Sequence, residues 1–527
     1  VAEALENVYP DNPAQLAVLA YHWAEAGDIP KEAHYAALAG EQALSNGAYQ
    51  EAINFLEHTL TLSGQVGLSR SQQALHKRQL GDAYLGLGQL SRSQSCLEEG
   101  LALLGKMPPK SPVLFVMSLT GQILRHTWHR LKFDLLRRPM KSTASDQELA
   151  TAARICERLG QLAYIHNDLF ALVYYIIKGT NLAEQIGSTA QADLLRGYAS
   201  MAGTADAVNH RLARMYYHRS QALMLDNSDK EAESWANLVL GLYASVRADW
   251  EDVQNRFQRC IQLAQQTGNR RRWGEGTCLL GFTYCLSRWD INAVVRLDYP
   301  ALSTRQGDLQ VRAMLLDIPG EAALRLGRFD ESLDLLQQSV ILYEQIEDRA
   351  LLIRQYGLLA QLHLRLGNYG EAQQFADKAA TLIAASVPIA FYALEGYAGS
   401  TEFSLSLWEN QPSPIHRNRV RASLKFMRQF AFLADIVKPR AVAYRGWYHW
   451  LDGKPDKARK AGLKGVAEAQ RLKMPYDEGV AHYHLGRFLP KDDPQHAEHL
   501  KQAAAIFERL GAAWDLERAH QALGDKT

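Results

Sequence analysis

Along most of this chain apolar residues recur at i, i+3, i+4 and i+7, and the alternation that marks a half-buried strand is almost absent. The pattern predicts helices throughout, each with one apolar face. The turns between them share a phrase: "LRLGRFDES" begins at residue 324 and "LRLGNYGEA" at 364, a spacing of 40. Related turns stand at Ala26-Gly27, Asn46-Gly47, Leu87-Gly88 and Asp452-Gly453. Seven positions before the turn glycine comes a small residue (Gly40, Gly81, Gly320, Ala360, Gly446), and after it an aromatic (Tyr49, Phe329, Tyr369) and another small residue (Ala52, Ser332, Ala372). The glycine ends a first helix in the left-handed conformation. The small residues let the second helix lie against the first, and the aromatics are expected to fill the wedge between pairs.

These units are similar to tetratricopeptide repeats, whose helical hairpins bury their apolar faces only by stacking on their neighbours. The expected fold is all-α: an α-solenoid of such hairpins wound into a right-handed superhelix with a concave face. Repeats read clearly over 1–105, up to the breaker "KMPPKSP", and again over 231–385 and 439–527. Residues 113–230 are helical but off-consensus, and 386–438 read as a long hairpin split by the loop "ENQPSPIHRN".

Composition narrows the function. Of 527 residues, 58 are Lys or Arg and 57 Asp or Glu, so no global field draws in nucleic acid or an anionic membrane. The longest strongly apolar run, "LFALVYYII" at 169–177, is about half the ~20 residues a membrane span needs. Five scattered cysteines without a CxxC pair argue against a disulfide framework or zinc knuckle, and point to a reducing cytoplasm. The start "VAEALENVYPDN" has neither an initiator Met nor a signal-peptide pattern, which suggests a piece of a longer protein.

Three stretches carry a more specific resemblance: 19–60, "LAYHWAEAGDIPKEAHYAALAGEQALSNGAYQEAINFLEHTL"; 180–201, "TNLAEQIGSTAQADLLRGYASM"; and 473–523, with "KMPYDEGVAHYHLGRFL" and "AAAIFERLGAAWDLERAHQAL". In this order they resemble the repeat region that follows the ATPase module in signal-transduction ATPases with numerous domains, including the class III cyclases that carry such an ATPase. The resemblance implies a sensor or regulatory solenoid governing an ATPase or cyclase-type effector upstream in the same protein. A free-standing scaffold is the alternative.

Catalytic motifs are missing from the sequence. "GLALLGKM" at 100–107 has Met107 where a phosphate loop needs Ser or Thr, and reads instead as a helix ending at Gly105. No nucleophile elbow, HExxH or dinucleotide loop occurs, so no enzyme, cofactor or metal is expected of this segment. His126 with His129, and His496 with His499, have ligand-like spacing but no third ligand, and read as exposed polar faces. His363 and His449 occupy the repeat's aromatic position and read as packed residues. A basic stretch at 125–141, with Arg125, Arg130, Lys132, Arg137 and Arg138 around Trp128 and Phe133, reads as a solvated helix face, with nucleic-acid binding the lesser alternative. "NRRRWGEG" at 269–276 reads as a basic helix start or loop.

If the first helix of each hairpin lines the groove, the positions facing inward hold Glu321 and Arg325, Gln361 and Arg365, and Trp447 and Trp450. These aromatic and Arg side chains are the types that anchor protein interfaces, so a protein or peptide in the concave groove is the expected partner. Trp447 and Trp450 could equally be filling a gap between repeats.

Overall fold

The computed structural model describes residues 1–524 apart from 9–11, 137–144, 188–189, 207–208, 284–287, 290, 292–293, 295–307 and 347. Among the described residues there are 26 α-helices and no strand. In chain order they begin with α1 (Ala2–Val8), α2 (Leu16–Glu25), α3 (Ile29–Ser45), α4 (Tyr49–Thr61), α5 (Ser63–Val66), α6 (Arg70–Gly86) and α7 (Leu90–Leu103). The off-consensus stretch forms α8 (Pro112–Leu136), α9 (Asp146–Ile165), α10 (Leu169–Ile186), α11 (Gln191–Asp206) and α12 (His210–Leu225). Next come α13 (Lys230–Arg247), α14 (Trp250–Thr267), α15 (Arg270–Thr283), α16 (Leu309–Arg325), α17 (Phe329–Ile346), α18 (Arg349–Arg365) and α19 (Tyr369–Ala384). The C-terminal part holds α20 (Leu394–Asn410), α21 (Pro414–Leu433), α22 (Lys438–Leu451), α23 (Pro455–Arg471), α24 (Pro475–Phe488), α25 (Pro494–Leu510) and α26 (Ala513–Leu523).

The helices pack as consecutive antiparallel pairs, and the pairs stack into an α-solenoid. Local chemistry sets their ends. Gly327 takes φ +79°; its N–H donates to the Leu324 carbonyl (3.2 Å) and that of Arg328 to Ala323 (2.9 Å), which closes α16 before α17 begins. N-cap side chains start many of the others: Asp28, Asp168, Asp229 and Asp348 each accept from a backbone N–H, and Ser69 with Gln72 forms a reciprocal capping box. The small residues sit at the pair contact, as their spacing predicts. A Cβ added at Gly40, Gly81 or Gly320 would stand 2.8 Å from Leu56, Leu97 or Leu336 of the partner helix. Between pairs, Tyr49 fills the expected wedge against Gly86, but Tyr369 is 52% exposed and fills none.

Contacts across great sequence distance wind the array tightly. The Trp250 indole N–H donates to the Leu472 carbonyl (2.7 Å) and that of Trp289 to Leu510 (2.6 Å), tying the middle of the chain to its C-terminal hairpins. Gly88 lies near Leu309 and Ile346, and Gly327 near Ala513. One continuous apolar core therefore runs from Leu85 to Ala519.

Other expectations meet the structure unevenly. The loop "ENQPSPIHRN" shrinks to Gln411–Ser413, because Ser413 caps α21 and Pro414 opens it. His126 and His129 are not exposed. They are buried, with His126 bonded to Asn181 (2.8 Å) and Tyr216, and His129 to Glu184 (3.1 Å). Their spacing put them on the inner face of α8, where α10 and α12 supply polar partners.

Candidate functional site

Helices α16, α18, α20, α22 and α24 contribute a wall of charged side chains that face one another in the interior. The Arg354 guanidinium, with no exposed surface, meets Asp317 at 2.9 Å and also Glu321. Arg325 bridges Glu321 (3.0 Å) and Glu395 (2.5 Å); Arg440 bridges Glu395 (3.7 Å) and Asp477 (2.8 Å). Apart from Arg325–Glu321 within α16, each link joins two helices, so the ladder is a record of how the repeats are spaced. Burial works to raise the Glu395 carboxyl, but Arg325, Arg440 and Arg354 together hold it below its ordinary value. At the edge of the ladder Asp317 is pushed up to about 6 by burial, which Arg354 offsets only in part. Removing one partner of so dry a network costs about 3–5 kcal/mol, because the other charge is left unpaired.

Of the residues expected to face the groove, two lie in this wall, two are buried beside it and two are partly buried. Glu321 and Arg325 are partners within the ladder. Gln361 is buried and donates to Glu402 (2.9 Å), which also accepts from Tyr444 (3.2 Å). Trp447 is buried with its indole N–H on Glu409 (2.8 Å). Arg365 and Trp450 are only half-buried and belong to a cluster that sequence reasoning did not assemble. Arg365 lies 4.6 Å from the Trp514 ring, and Arg518 covers Trp514 (4.3 Å) and Tyr483 (4.6 Å). Arg487 covers Trp450 (5.3 Å), Trp447 (5.7 Å) and Tyr483 (5.4 Å). Arg365, Arg487, Arg518, Trp450 and Trp514 thus stand half-exposed at the rim of the wall, drawn from α18, α22, α24 and α26. Arg487, Trp514 and Arg518 were missed; the signal for them was their place in "HYHLGRF" and "AAWDLERAH".

The basic residues on α8 divide. Arg125 is exposed, whereas Arg130 turns inward onto Tyr216 (3.0 Å to the hydroxyl). The side chain of Lys132, and Arg137 and Arg138 altogether, lie outside the described residues. In "NRRRWGEG", Arg271 and Arg272 are drawn into ion pairs with Glu275 (3.1 and 2.6 Å) and Arg271 also with Asp308. A stronger concentration of charge lies elsewhere: residues 414–471 hold fourteen Lys or Arg against four Asp or Glu. Part of it lines a groove along α21, α22 and α23, where Arg421, Lys425, Arg428, Arg445 and Lys464 flank Phe432, itself 81% exposed.

A different kind of site opens between α9, α10, α11, α13, α15 and α16, closed on one side by α21 and by the segment leading into α20. This cavity of about 230 Å³ is walled mainly by apolar side chains. Its polar wall groups are engaged with one another. Gln161 donates to Glu275 (3.2 Å), Glu157 faces Arg196 (3.5 Å), and the Thr204 hydroxyl donates to the Ser200 carbonyl (3.0 Å). Burial lifts the Tyr164 and Tyr392 hydroxyls well above their ordinary range, so both are neutral, and one donates a hydrogen bond to the other. The exception is Trp235, a buried wall residue whose indole nitrogen has no hydrogen-bond partner. A sealed void of this size would cost about 5.5 kcal/mol at roughly 24 cal/mol per Å³.

Among the described residues no group of three His, Cys, Asp or Glu is arranged to hold a metal, and no helix is long and apolar enough to cross a membrane. Compared with known proteins, residues 315–383 match the family model for the tetratricopeptide repeat. No curated protein matches the chain. Among solved structures, a chain of the hetero-tetramer Cut9-Hcn1 of the APC/C is similar at 14% identity, covering 98% of this chain and 92% of that one, with a TM-score of 0.37. The hairpins from α16 to α19 are therefore a tetratricopeptide-repeat region within an all-helical solenoid, a scaffold suited to protein interaction.

Proposed function

We propose that this chain is a non-catalytic regulatory solenoid of the cytoplasm, which binds a protein or peptide partner on its inner face and passes occupancy to an ATPase or cyclase-type module upstream in the same protein. The observation that carries the reading is the half-exposed cluster of Arg365, Arg487, Arg518, Trp450 and Trp514, the residue types that dominate binding hot spots, set at the rim of a wall whose charges link successive repeats. A partner that engages Arg365 or Arg487 competes with the contacts that hold those arginines, and so changes how neighbouring hairpins pack. Occupancy then shifts the equilibrium between two spacings of the repeats, as a ligand must if it is to signal. Glu321, Arg325, Gln361 and Trp447 act behind that rim by setting its geometry.

The full-length protein tests this directly. Nucleotide turnover by the upstream module should change when residues 309–527 are deleted, and should lose its response to the partner in Trp514→Ala and Arg487→Ala, both of which should remain folded. Turnover indifferent to deletion, or the lack of any such module in the gene, would leave the scaffold reading in its place.

A further inference from the structure

We propose that the cavity enclosed by α9, α10, α11, α13, α15 and α16 is a binding site for a small uncharged lipophile: a compact ring system or short hydrocarbon chain with one neutral oxygen acceptor. The volume is the first ground. About 230 Å³ exceeds the roughly 150 Å³ that takes up a benzene in an engineered apolar cavity. The walls are the second. Glu157, Glu275 and Gln161 face cations or one another and the Ser200 and Thr204 hydroxyls donate to backbone carbonyls, so a charged ligand finds no free counter-charge and water finds few partners. What remains is hydrocarbon surface, which favours an apolar guest.

The mouth points the same way. Leu169, Leu172, Ile176, Leu242, Val246 and Leu433 are only partly buried, as are Glu157, Gln161, Ser200 and Thr204, so the more open side of the lining is largely apolar surface that a hydrocarbon ligand would cover. Trp235 supplies orientation. Its ring is held under Arg272 (4.5 Å) and Arg158 (5.9 Å), while its indole N–H is buried without a partner. That nitrogen is closed to a water-sized group in this conformation, so a guest's carbonyl or ether oxygen meets it only as the ring shifts; such an oxygen would satisfy the donor without bringing a charge into the site. The site lies apart from the Arg and Trp cluster at the rim of the wall, and the inference does not depend on the reading of that cluster.

The test uses the whole chain and Prodan, an uncharged fluorescent naphthyl ketone. Saturable binding with a blue-shifted emission is expected, competed by 2-acetylnaphthalene more strongly than by 2-ethylnaphthalene, with that preference lost in Trp235→Phe. Leu172→Trp at the mouth and Thr204→Trp in the wall should each weaken binding at least tenfold, the two being made so that a misfolded variant of one does not decide the matter. Phe432→Ser, which removes exposed apolar surface elsewhere, should leave binding unchanged. The proposal is overturned by a lack of saturable binding, by equal affinity in both filled variants, or by loss of binding in Phe432→Ser. Equal competition by the two naphthalenes would remove the role given to Trp235.

Discussion

Two neighbouring interior regions of this molecule are built in opposite ways, and helix α16 serves both. Gln310 and Met314, near its start, border the cavity; Asp317, Glu321 and Arg325, one to three turns further on, enter the charged wall. The wall is dry and full, each charge answered by another. The cavity is apolar and keeps room inside. The contrast shows how a repeat array separates holding from receiving. Paired charges accept only one spacing of the helices, since a mismatched ion in a dry interior is expensive. Hydrocarbon surfaces are non-directional and tolerate a gap that a guest can occupy.

The contrast is broken most severely at Arg354. Arg354→Met should lower unfolding stability by about 3–5 kcal/mol in chemical denaturation, because Asp317 and Glu321 lose their shared cation. Replacing all three by apolar residues should recover much of that loss, and failure to do so would mean the wall contributes more than charge pairing. Volume changes come next. Ala372→Leu, at a fully buried hairpin contact, should cost roughly 1–3 kcal/mol by overpacking. Leu242→Phe, beside the cavity, should cost less than about 1 kcal/mol, and equal costs in thermal melts would show that the cavity offers no real room.

The smallest effect is one of pH. His482 is held down to about 4, by burial first and then by His499, against an ordinary 6.5. The stability it contributes as a neutral ring is whole above pH 6.5 and is lost as pH falls through 4. Asp317 has the opposite sign: raised from 3.8 to about 6, its protonated form contributes fully below 3.8 and that contribution is lost as pH rises through 6. Denaturation midpoints between pH 4 and 6 should therefore respond weakly in the parent chain. They should fall more steeply with rising pH in His482→Gln, and more steeply with falling pH in Asp317→Asn.

The repeats were legible where one residue type does the turn's work. Gly327, Gly367 and Gly453 all take positive φ. At corresponding turns elsewhere, Asn167, Ala248 and Lys473 adopt the same left-handed conformation without being glycine; of these only Asn167 stands in the stretch that looked off-consensus, where no glycine marks the turn. Candidate site residues were half legible. Helical phase grouped Glu321, Arg325, Gln361, Arg365, Trp447 and Trp450 as groove-facing, but four of them are buried against other side chains, an outcome the sequence had offered only for Trp447. Charge alone suggested a solvated face for His126, His129 and Arg130, and each turned inward because distant helices offered Asn181, Glu184 and Tyr216.

By itself the amino-acid sequence determined helices of a given length, the glycine or capped ends that stop them, and the small residues that pair each helix with the next. These depend on neighbours within about one hairpin, where spacing along the chain is spacing in the fold. Only the tertiary structure decided that Arg325 would find Glu395, that Trp250 would reach Leu472, and that α9 and α16 would leave a cavity between them. Those outcomes depend on the small rotation from each hairpin to the next, which accumulates along the stack and is written in no single repeat.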